Sequence, residues 1–100
     1  MTIHVVTRHC GALEWLAQHG IWWDRHHRYL DLDCIKTGDQ VIGILPMSVA
    51  ASVCARGASY RHICLDMPDD CRGRELSSEQ MAVYGAQLQQ FVIVPQASPF

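Results

Sequence analysis

The sequence lacks the short motifs that mark nucleotide-cofactor enzymes and thiol redox enzymes. It contains no G-x-G-x-x-G and no Walker A pattern, so nothing in it supports a dinucleotide cofactor or the use of a nucleoside triphosphate. Its 5 cysteines include no C-x-x-C pair, which disfavours thiol-based redox chemistry. An odd number of cysteines cannot pair completely within one chain, and we therefore expect free thiols in a reducing cytoplasm.

Long apolar runs and an excess of positive charge are also missing. No stretch approaches the roughly 20 apolar residues of a membrane span, and Arg8 follows the first short apolar run, so we expect neither a secretory signal nor a membrane partner. The net charge of −2 argues against a sequence-independent coat on DNA. All basic residues except Lys36 are arginines, whose planar guanidinium binds phosphate through two nitrogens. This bias favours a specific anion pocket.

The apolar content is sufficient for one folded unit. Hydrophobic residues make up 49% of the chain and charged residues 18%, which is too apolar for disorder. We expect a single domain over residues 1–94, followed by a frayed tail at 95–100. A chain of 100 residues buries only about two-thirds of its unfolded surface, so an oligomer that buries more is compatible with its size.

Apolar periodicity predicts strands and helices in the order β-α-β-β-α-β-α. Ser48 is expected to cap the second helix, and Ser77 with Gln80 forms a capping box that opens the third. Alternating elements with short connections favour an α/β fold with a parallel sheet covered on both faces. The predicted strands are 3–7, a polar edge strand within 24–30, 41–45 and 60–67, and the predicted helices are 11–19, 48–57 and 78–91, the last carrying Met81, Tyr84, Leu88 and Phe91 on one face.

In such sheets, ligands bind outside the carboxyl ends of the strands, close to helix N-termini. The loops after the first, third and fourth strands reach this edge, and they carry hydroxyl, guanidinium and imidazole groups. Together with helix amides these groups make an anion site. Taken alone, the pair Arg8 and His9 or the pair Arg72 and Arg74 could simply lie in a solvated turn. The coincidence of both pairs on one edge of the sheet favours binding. The expected set is Thr7, Arg8, His9, Ser48, Arg72 and Arg74.

The histidine and acid patterns do not predict a metal site. His26 and His27 are adjacent, so on a strand they point to opposite faces and cannot chelate one ion. His62 and Cys64 share a face, but no second pair matches them, and a hydrogen-bonded histidine beside a packed thiol is the expected arrangement. The acids of the 66–70 segment are more often caps or charge partners than ligands or bases. We therefore expect no metal and no cofactor.

Six short stretches, taken in order, resemble the small CRISPR-associated protein family found beside type III CRISPR loci. That family is similar to the CARF domains, which sense cyclic oligoadenylates. The resemblance implies a Rossmann-like, three-layer α/β fold with a short, mostly parallel sheet. The stretches are 6–12 (VTRHCGA), 38–43 (GDQVIG), 45–46 (LP), 55–58 (ARGA), 65–68 (LDMP) and 72–76 (RGREL).

The resemblance also implies an activity, that of a ring nuclease that cleaves cyclic tetra-adenylate as a homodimer. The chemistry would need no metal, because a ribose 2′-OH attacks the adjacent phosphate and leaves linear adenylates with a 2′,3′-cyclic phosphate. Within that activity our reading of the residues assigns catalysis to Arg8, His9 and Arg74, through phosphate stabilisation and proton transfer. The expected ligand-binding residues are Thr7, Pro46, Ser48, Asp66, Arg72 and Gly73, with the loop at 68–75 as a candidate lid.

Two alternatives of other classes stay open at this point. An arginine-lined edge serves binding as well as cleavage, so the protein could sequester the cyclic nucleotide without cutting it. The tryptophans Trp15, Trp22 and Trp23 could instead dock an adaptor on a CRISPR effector, although core or interface packing is their more common role.

Overall fold

Strands and helices alternate along the chain in a computed structural model that describes residues 1–66 and 76–96. The predicted lid at 68–75 and the last four residues of the predicted tail lie outside the described residues. The strands are β1 (Ile3–Val6), β2 (Arg25–His27), β3 (Gln40–Gly43), β4 (Ser59–Cys64) and β5 (Gln87–Phe91). The helices are α1 (Cys10–Gln18), α2 (Met47–Ala55) and α3 (Ser78–Val83), with a 3-10 turn at Leu32–Cys34.

The five strands form one sheet in the order β2-β1-β3-β4-β5. The pairs β2–β1, β1–β3 and β3–β4 are parallel, and β5 is antiparallel to β4. The predicted α/β fold with a short, mostly parallel sheet is confirmed, and β2 lies at the sheet edge as expected. The carboxyl ends of four strands therefore share one edge of the sheet.

Helices cover both faces of the sheet, which gives the three layers of a Rossmann-like fold. Successive side chains of a strand point to opposite faces, so Val5 packs against α1 and α3 while its neighbour Val6 packs on the side of α2. The first core cluster includes Val5, Ala12, Trp15, Leu16, Ile42, Ile63, Leu76 and Met81. The second includes Val6, Ile35, Val41, Ala50, Val53, Ala58 and Tyr60.

The helix predicted to run to Phe91 is wrong in its second half. The capping box at its start is confirmed, since Ser77 Oγ accepts the Gln80 N–H at 3.1 Å and Gln80 Oε1 accepts the Ser77 N–H at 3.0 Å. Gly85 then adopts a φ of +72°, and the N–H groups of residues 85 and 86 close the helix on the carbonyls of residues 82 and 81. The chain beyond this stop pairs with β4, where Leu88 lies opposite Ile63.

The second helix begins earlier than predicted, and two strands end earlier. Pro46 occupies the N-cap of α2 and its carbonyl accepts the Ala50 N–H at 2.9 Å, so Ser48 lies within the first turn and is not the cap. β3 stops at residue 43, because the Leu45 N–H donates to the Tyr60 hydroxyl at 2.9 Å instead of continuing the ladder. β4 stops at residue 64, and the Asp66 N–H bonds to the end of α3.

Three of the cysteines, Cys34, Cys54 and Cys64, are free thiols. Within residues 1–66 and 76–96, no helix has the length and apolar character needed to cross a membrane.

Gly11 allows the first turn of α1 to lie directly against the chain that enters α3. A Cβ on Gly11 would overlap the carbonyl oxygen of Leu76 and would lie 2.8 Å from the Cα of Ser77. Neither neighbour is the flexible end of a side chain, so the backbones themselves would have to separate. The missing side chain thus sets the closest approach between the two helices on this face.

We expect Gly11→Ala to lower the free energy of unfolding by more than about 2 kcal/mol, the cost of overpacking a tight contact. Gly20→Ala is the matched control: Gly20 has a φ of +71° and nothing within 4 Å of the added Cβ, so only about 1 kcal/mol of backbone strain is expected. Chemical denaturation of both variants measures the difference. Equal losses would contradict the close approach at Gly11.

Candidate functional site

A cavity of about 330 Å³ opens at the carboxyl edge of the parallel strands, on the face covered by α1 and α3. Its size falls at the lower end of the range for small-molecule sites. Polar side chains come from the loops that follow β1 and β2, whereas the walls are mostly apolar. The described residues that line it are Val6, Thr7, Arg8, His9, Ala12, Arg28, Ile44, Ile63, Leu65, Leu76 and Met81.

The loop after β1 is fixed by hydrogen bonds on both sides of Thr7. The Thr7 N–H donates to the His27 carbonyl at 3.0 Å, and His26 Nε2 donates to the Thr7 carbonyl at 2.8 Å. The Thr7 hydroxyl in turn accepts the His9 N–H at 3.0 Å, which shapes the turn into α1. This loop therefore has a defined conformation at the mouth of the cavity.

His9 stands at the N-cap of α1, and its side chain lines the cavity. Its Nδ1 is buried and has no hydrogen-bond partner among the described residues. Buried polar atoms are nearly always paired, so this nitrogen is an exception within the described part of the chain. An imidazole at this point can also give or take a proton.

Two guanidinium groups, those of Arg8 and Arg28, line the cavity together with His9. The Arg8 guanidinium lies over the ring of Tyr29, 5.9 Å from its centroid, a cation–π contact that orients the side chain. Arg28 follows β2 directly and lines the same cavity. In the ranges 1–66 and 76–96, no carboxylate forms an ion pair with either arginine. Within the described part of the chain, neither charge is neutralised by a carboxylate.

The structure brings together only part of the predicted site. Thr7, Arg8 and His9 meet at the cavity as expected. Pro46 and Ser48 belong to the start of α2, which packs on the opposite face, and they do not line it. Asp66 is exposed just beyond β4 and is also absent from the lining. The remaining predicted residues, Arg72, Gly73 and Arg74, lie outside the described residues.

Arg28 is a charged residue of the cavity that the sequence analysis did not predict. The sequence feature that could have identified it is its position directly after a short polar strand. A parallel strand at that place sends its carboxyl end to the same edge as the other strands, but the weak pattern of residues 24–30 did not reveal the direction of pairing.

A buried carboxylate connects β3 to β1. Asp39 is only 6% exposed, and its oxygens accept the N–H groups of Thr2 at 3.0 Å and Lys36 at 3.1 Å and the Nε2–H of His4 at 3.0 Å. Burial alone would raise the pKa of Asp39, but the bonds from His4, Lys36 and Thr2 outweigh it and lower that pKa to about 2. Asp39 is therefore ionised at neutral pH.

The same histidine continues the contact to β2. His4 Nδ1 lies 2.9 Å from His27 Nε2, and the two rings are stacked with centroids 5.1 Å apart. Burial lowers the pKa of His27, and the electrostatic effects of the neighbouring His4, Arg25 and His26 lower it further against the opposing effect of Asp31. A neutral His27 is the form that these surroundings favour.

Tyr60 and His62 form a separate polar contact on the α2 face. The Tyr60 hydroxyl lies 2.5 Å from His62 Nδ1. Burial raises the pKa of Tyr60 and lowers the pKa of His62, so both groups are neutral in this contact, and the Tyr60 hydroxyl also lies 3.2 Å from the Gly43 carbonyl. The expected hydrogen-bonded histidine is confirmed. Over the part of the chain that is described, no group of three or more histidines, cysteines or acids could hold a metal ion.

Comparison with protein families identifies the chain. A family model described as "Putative CRISPR-associated protein (Cas_VVA1548)" matches residues 4–94. The chain belongs to this CRISPR-associated family. No curated protein and no solved structure matches it. The segment shared with the CRISPR-associated family runs from β1 past β5 and includes every described residue that lines the cavity.

The contribution of the Asp39 carboxylate to the free energy of unfolding can be tested by substitution. Asp39→Ala leaves three donors without an acceptor, one of them on the buried His4, and we expect it to lower the free energy of unfolding by about 3 kcal/mol at neutral pH. Asp33→Ala is the control, because the Asp33 side chain is 90% exposed and its ion pair with Arg56 is long, at 3.6 Å. That variant should lose less than about 0.5 kcal/mol.

The pH dependence follows from the sign of the Asp39 shift. The folded-state pKa, about 2, lies below the ordinary value of 3.8 for an aspartate, so the contribution of this group is complete above pH 3.8 and is lost as pH falls toward 2. Denaturation at several pH values should therefore show a smaller gap between wild type and Asp39→Ala at acid pH. A gap that does not change with pH would contradict the role of the carboxylate charge.

Proposed function

We propose that the protein is a ring nuclease of type III CRISPR antiviral defence that binds and cleaves cyclic tetra-adenylate. The observation that carries the proposal is the meeting of Thr7, Arg8, His9 and Arg28 at one cavity, on the edge of the sheet where α/β proteins bind ligands. Membership of a CRISPR-associated family supports the biological setting.

Charge and size favour a ring shared by two copies of the chain. The ring carries four phosphates, and one cavity contributes the two described guanidiniums of Arg8 and Arg28. A cavity of about 330 Å³ is too small for four nucleotides. A homodimer with the ring on its two-fold axis would supply four guanidiniums, and the overall net charge of −2 would not oppose binding, since only the pocket need be positive.

The cleavage step needs only groups of the ring and of the protein. The ribose 2′-oxygen forms a bond to the adjacent phosphorus and the P–O5′ bond breaks, which leaves a 2′,3′-cyclic phosphate and a 5′-hydroxyl. Holding the 2′-OH in line with the leaving oxygen is a positioning effect, to which the fixed Thr7 loop contributes. Arg8 and Arg28 stabilise the charge that develops on the phosphoryl oxygens.

Proton transfer falls to His9 in this proposal. Its imidazole, which lines the cavity, is the group that takes the 2′-OH proton or returns a proton to O5′. For the residues outside the described part of the chain, the proposed roles stay catalytic for Arg74 and ligand-binding for Arg72 and Gly73. Pro46, Ser48 and Asp66 do not line the cavity, so in this proposal they contact the part of the ring that extends beyond it.

Multiple-turnover cleavage in EDTA is the test. Purified protein with excess cyclic tetra-adenylate should give linear adenylates with cyclic phosphate ends, beyond one turnover per site, in liquid chromatography with mass detection. Intact ring that elutes with the protein would indicate a binding protein that sequesters the messenger. Intact ring that does not bind would contradict both functions and would favour an adaptor.

The same assay under single-turnover conditions tests the two arginines. Arg8→Ala and Arg28→Ala should each lower the rate about 10²-fold or more, the scale for losing one donor to a developing oxyanion. Arg56→Ala is the matched control, because Arg56 lies at the C-terminal end of α2 and pairs with the exposed Asp33. A wild-type rate in Arg28→Ala would remove that residue from the site.

A further inference from the structure

We propose that the chain of side chains Asp39–His4–His27 is a positioning device for the cavity: it fixes the edge strand β2 and thereby holds Arg28 where it contacts the ligand. The identity of the ligand rests on the proposed function, whereas the positioning itself does not. None of the three residues lines the cavity, so they act through β2 and not on the bound molecule.

β2 is the weakest part of the sheet that contributes to the cavity. It has three residues, it pairs with β1 alone, and its first two side chains are exposed. A short edge strand of this kind opens easily unless a further contact holds it. Yet Arg28 follows it directly, and the carbonyl of His27 accepts the Thr7 N–H at 3.0 Å. The placement of two cavity residues thus depends on where β2 lies.

The side-chain contacts that hold β2 are directional. Asp39 is ionised and can only accept, so His4 must donate to it through its Nε2–H. The other ring nitrogen, Nδ1, faces His27 Nε2 at 2.9 Å, and one of these two nitrogens carries the hydrogen of their contact. The carboxylate therefore orients the His4 ring toward His27, in the same way that a second group orients a functional histidine.

Burial strengthens the hydrogen bonds that join Asp39, His4 and His27. Asp39 and His4 are 6% and 2% exposed, so water does not compete for their bond, while His27 reaches from the edge strand to meet them. The chain extends from the turn before β3, through β1, to β2. It ties the edge strand to the centre of the sheet on the face opposite the cavity.

Two substitutions at the partly exposed end separate positioning from folding. His27→Leu keeps side-chain bulk and removes the nitrogen that faces His4, whereas His27→Gln keeps an amide that can donate or accept. We expect His27→Leu to weaken binding of cyclic tetra-adenylate about tenfold, the equivalent of one lost hydrogen bond, and His27→Gln to restore most of it. His19→Leu, at the C-cap of α1, is the control and should bind like wild type.

A double-mutant cycle tests the route through Arg28. If His27 acts by placing Arg28, His27→Leu should cause no further loss of affinity in an Arg28→Ala background. Losses that add would overturn the coupling between the two residues.

Amide hydrogen exchange tests the positioning without any ligand. The Thr7 N–H bonds to the His27 carbonyl, so its exchange should speed up about tenfold in His27→Leu and stay near wild type in His27→Gln and His19→Leu. Unchanged exchange in His27→Leu would overturn the proposal. Faster exchange in a protein that does not bind the ring would leave the positioning intact and refute the proposed function instead.

Nitrogen-15 NMR of the wild-type imidazoles covers the case in which His27→Leu fails to fold. At neutral pH a nitrogen–nitrogen coupling across the hydrogen bond should connect His4 Nδ1 to His27 Nε2. Absence of that coupling in the folded wild type would overturn the proposal.

Discussion

The buried carboxylate of Asp39 is the constraint on which the arrangement of three strands depends. It stands in the turn before β3, accepts a backbone N–H from the start of β1 and a side-chain N–H from His4 within β1, and through His4 it reaches β2. One ionised group thereby aligns the amino ends of β1 and β3 and holds the edge strand. Burying it costs free energy that only its several hydrogen bonds offset, so the contact is specific for this register.

The alignment of these strands also determines which residues meet at their carboxyl ends. Parallel pairing sends the loops after β1 and β2 to one edge, where Arg8, His9 and Arg28 meet above an apolar wall. The close approach of α1 and α3 at Gly11 shapes that wall from the helix side. Two guanidiniums without a carboxylate partner among the described residues, together with the imidazole of His9, make this edge suited to a phosphate ester, and we propose a cyclic oligoadenylate as that ester.

Local sequence patterns predicted much of this arrangement, whereas contacts between residues far apart in the sequence could not be predicted. Apolar runs placed β1 and the capping box placed the start of α3, because both depend on neighbouring residues. The spacing of Leu88 and Phe91 fits a helix as well as a strand, and only pairing with β4 decides between them. Arg28 was not predicted as a site residue, because the direction of β2 is set by its pairing with β1. The bond between His4 and Asp39 joins residues 35 positions apart, and no local pattern predicts it.

The location of the ligand is the central claim, and backbone amide NMR tests it most directly. Cyclic tetra-adenylate titrated into nitrogen-15-labelled protein should cause its largest shift changes at Thr7, Arg8, His9 and Arg28. The groove of about 510 Å³ lined by Ala17, Gly20, Ile21, Trp22 and Trp23 should change little. Largest changes at Trp22 and Trp23, or no changes at saturating ring, would contradict a binding site at the carboxyl edge of the sheet.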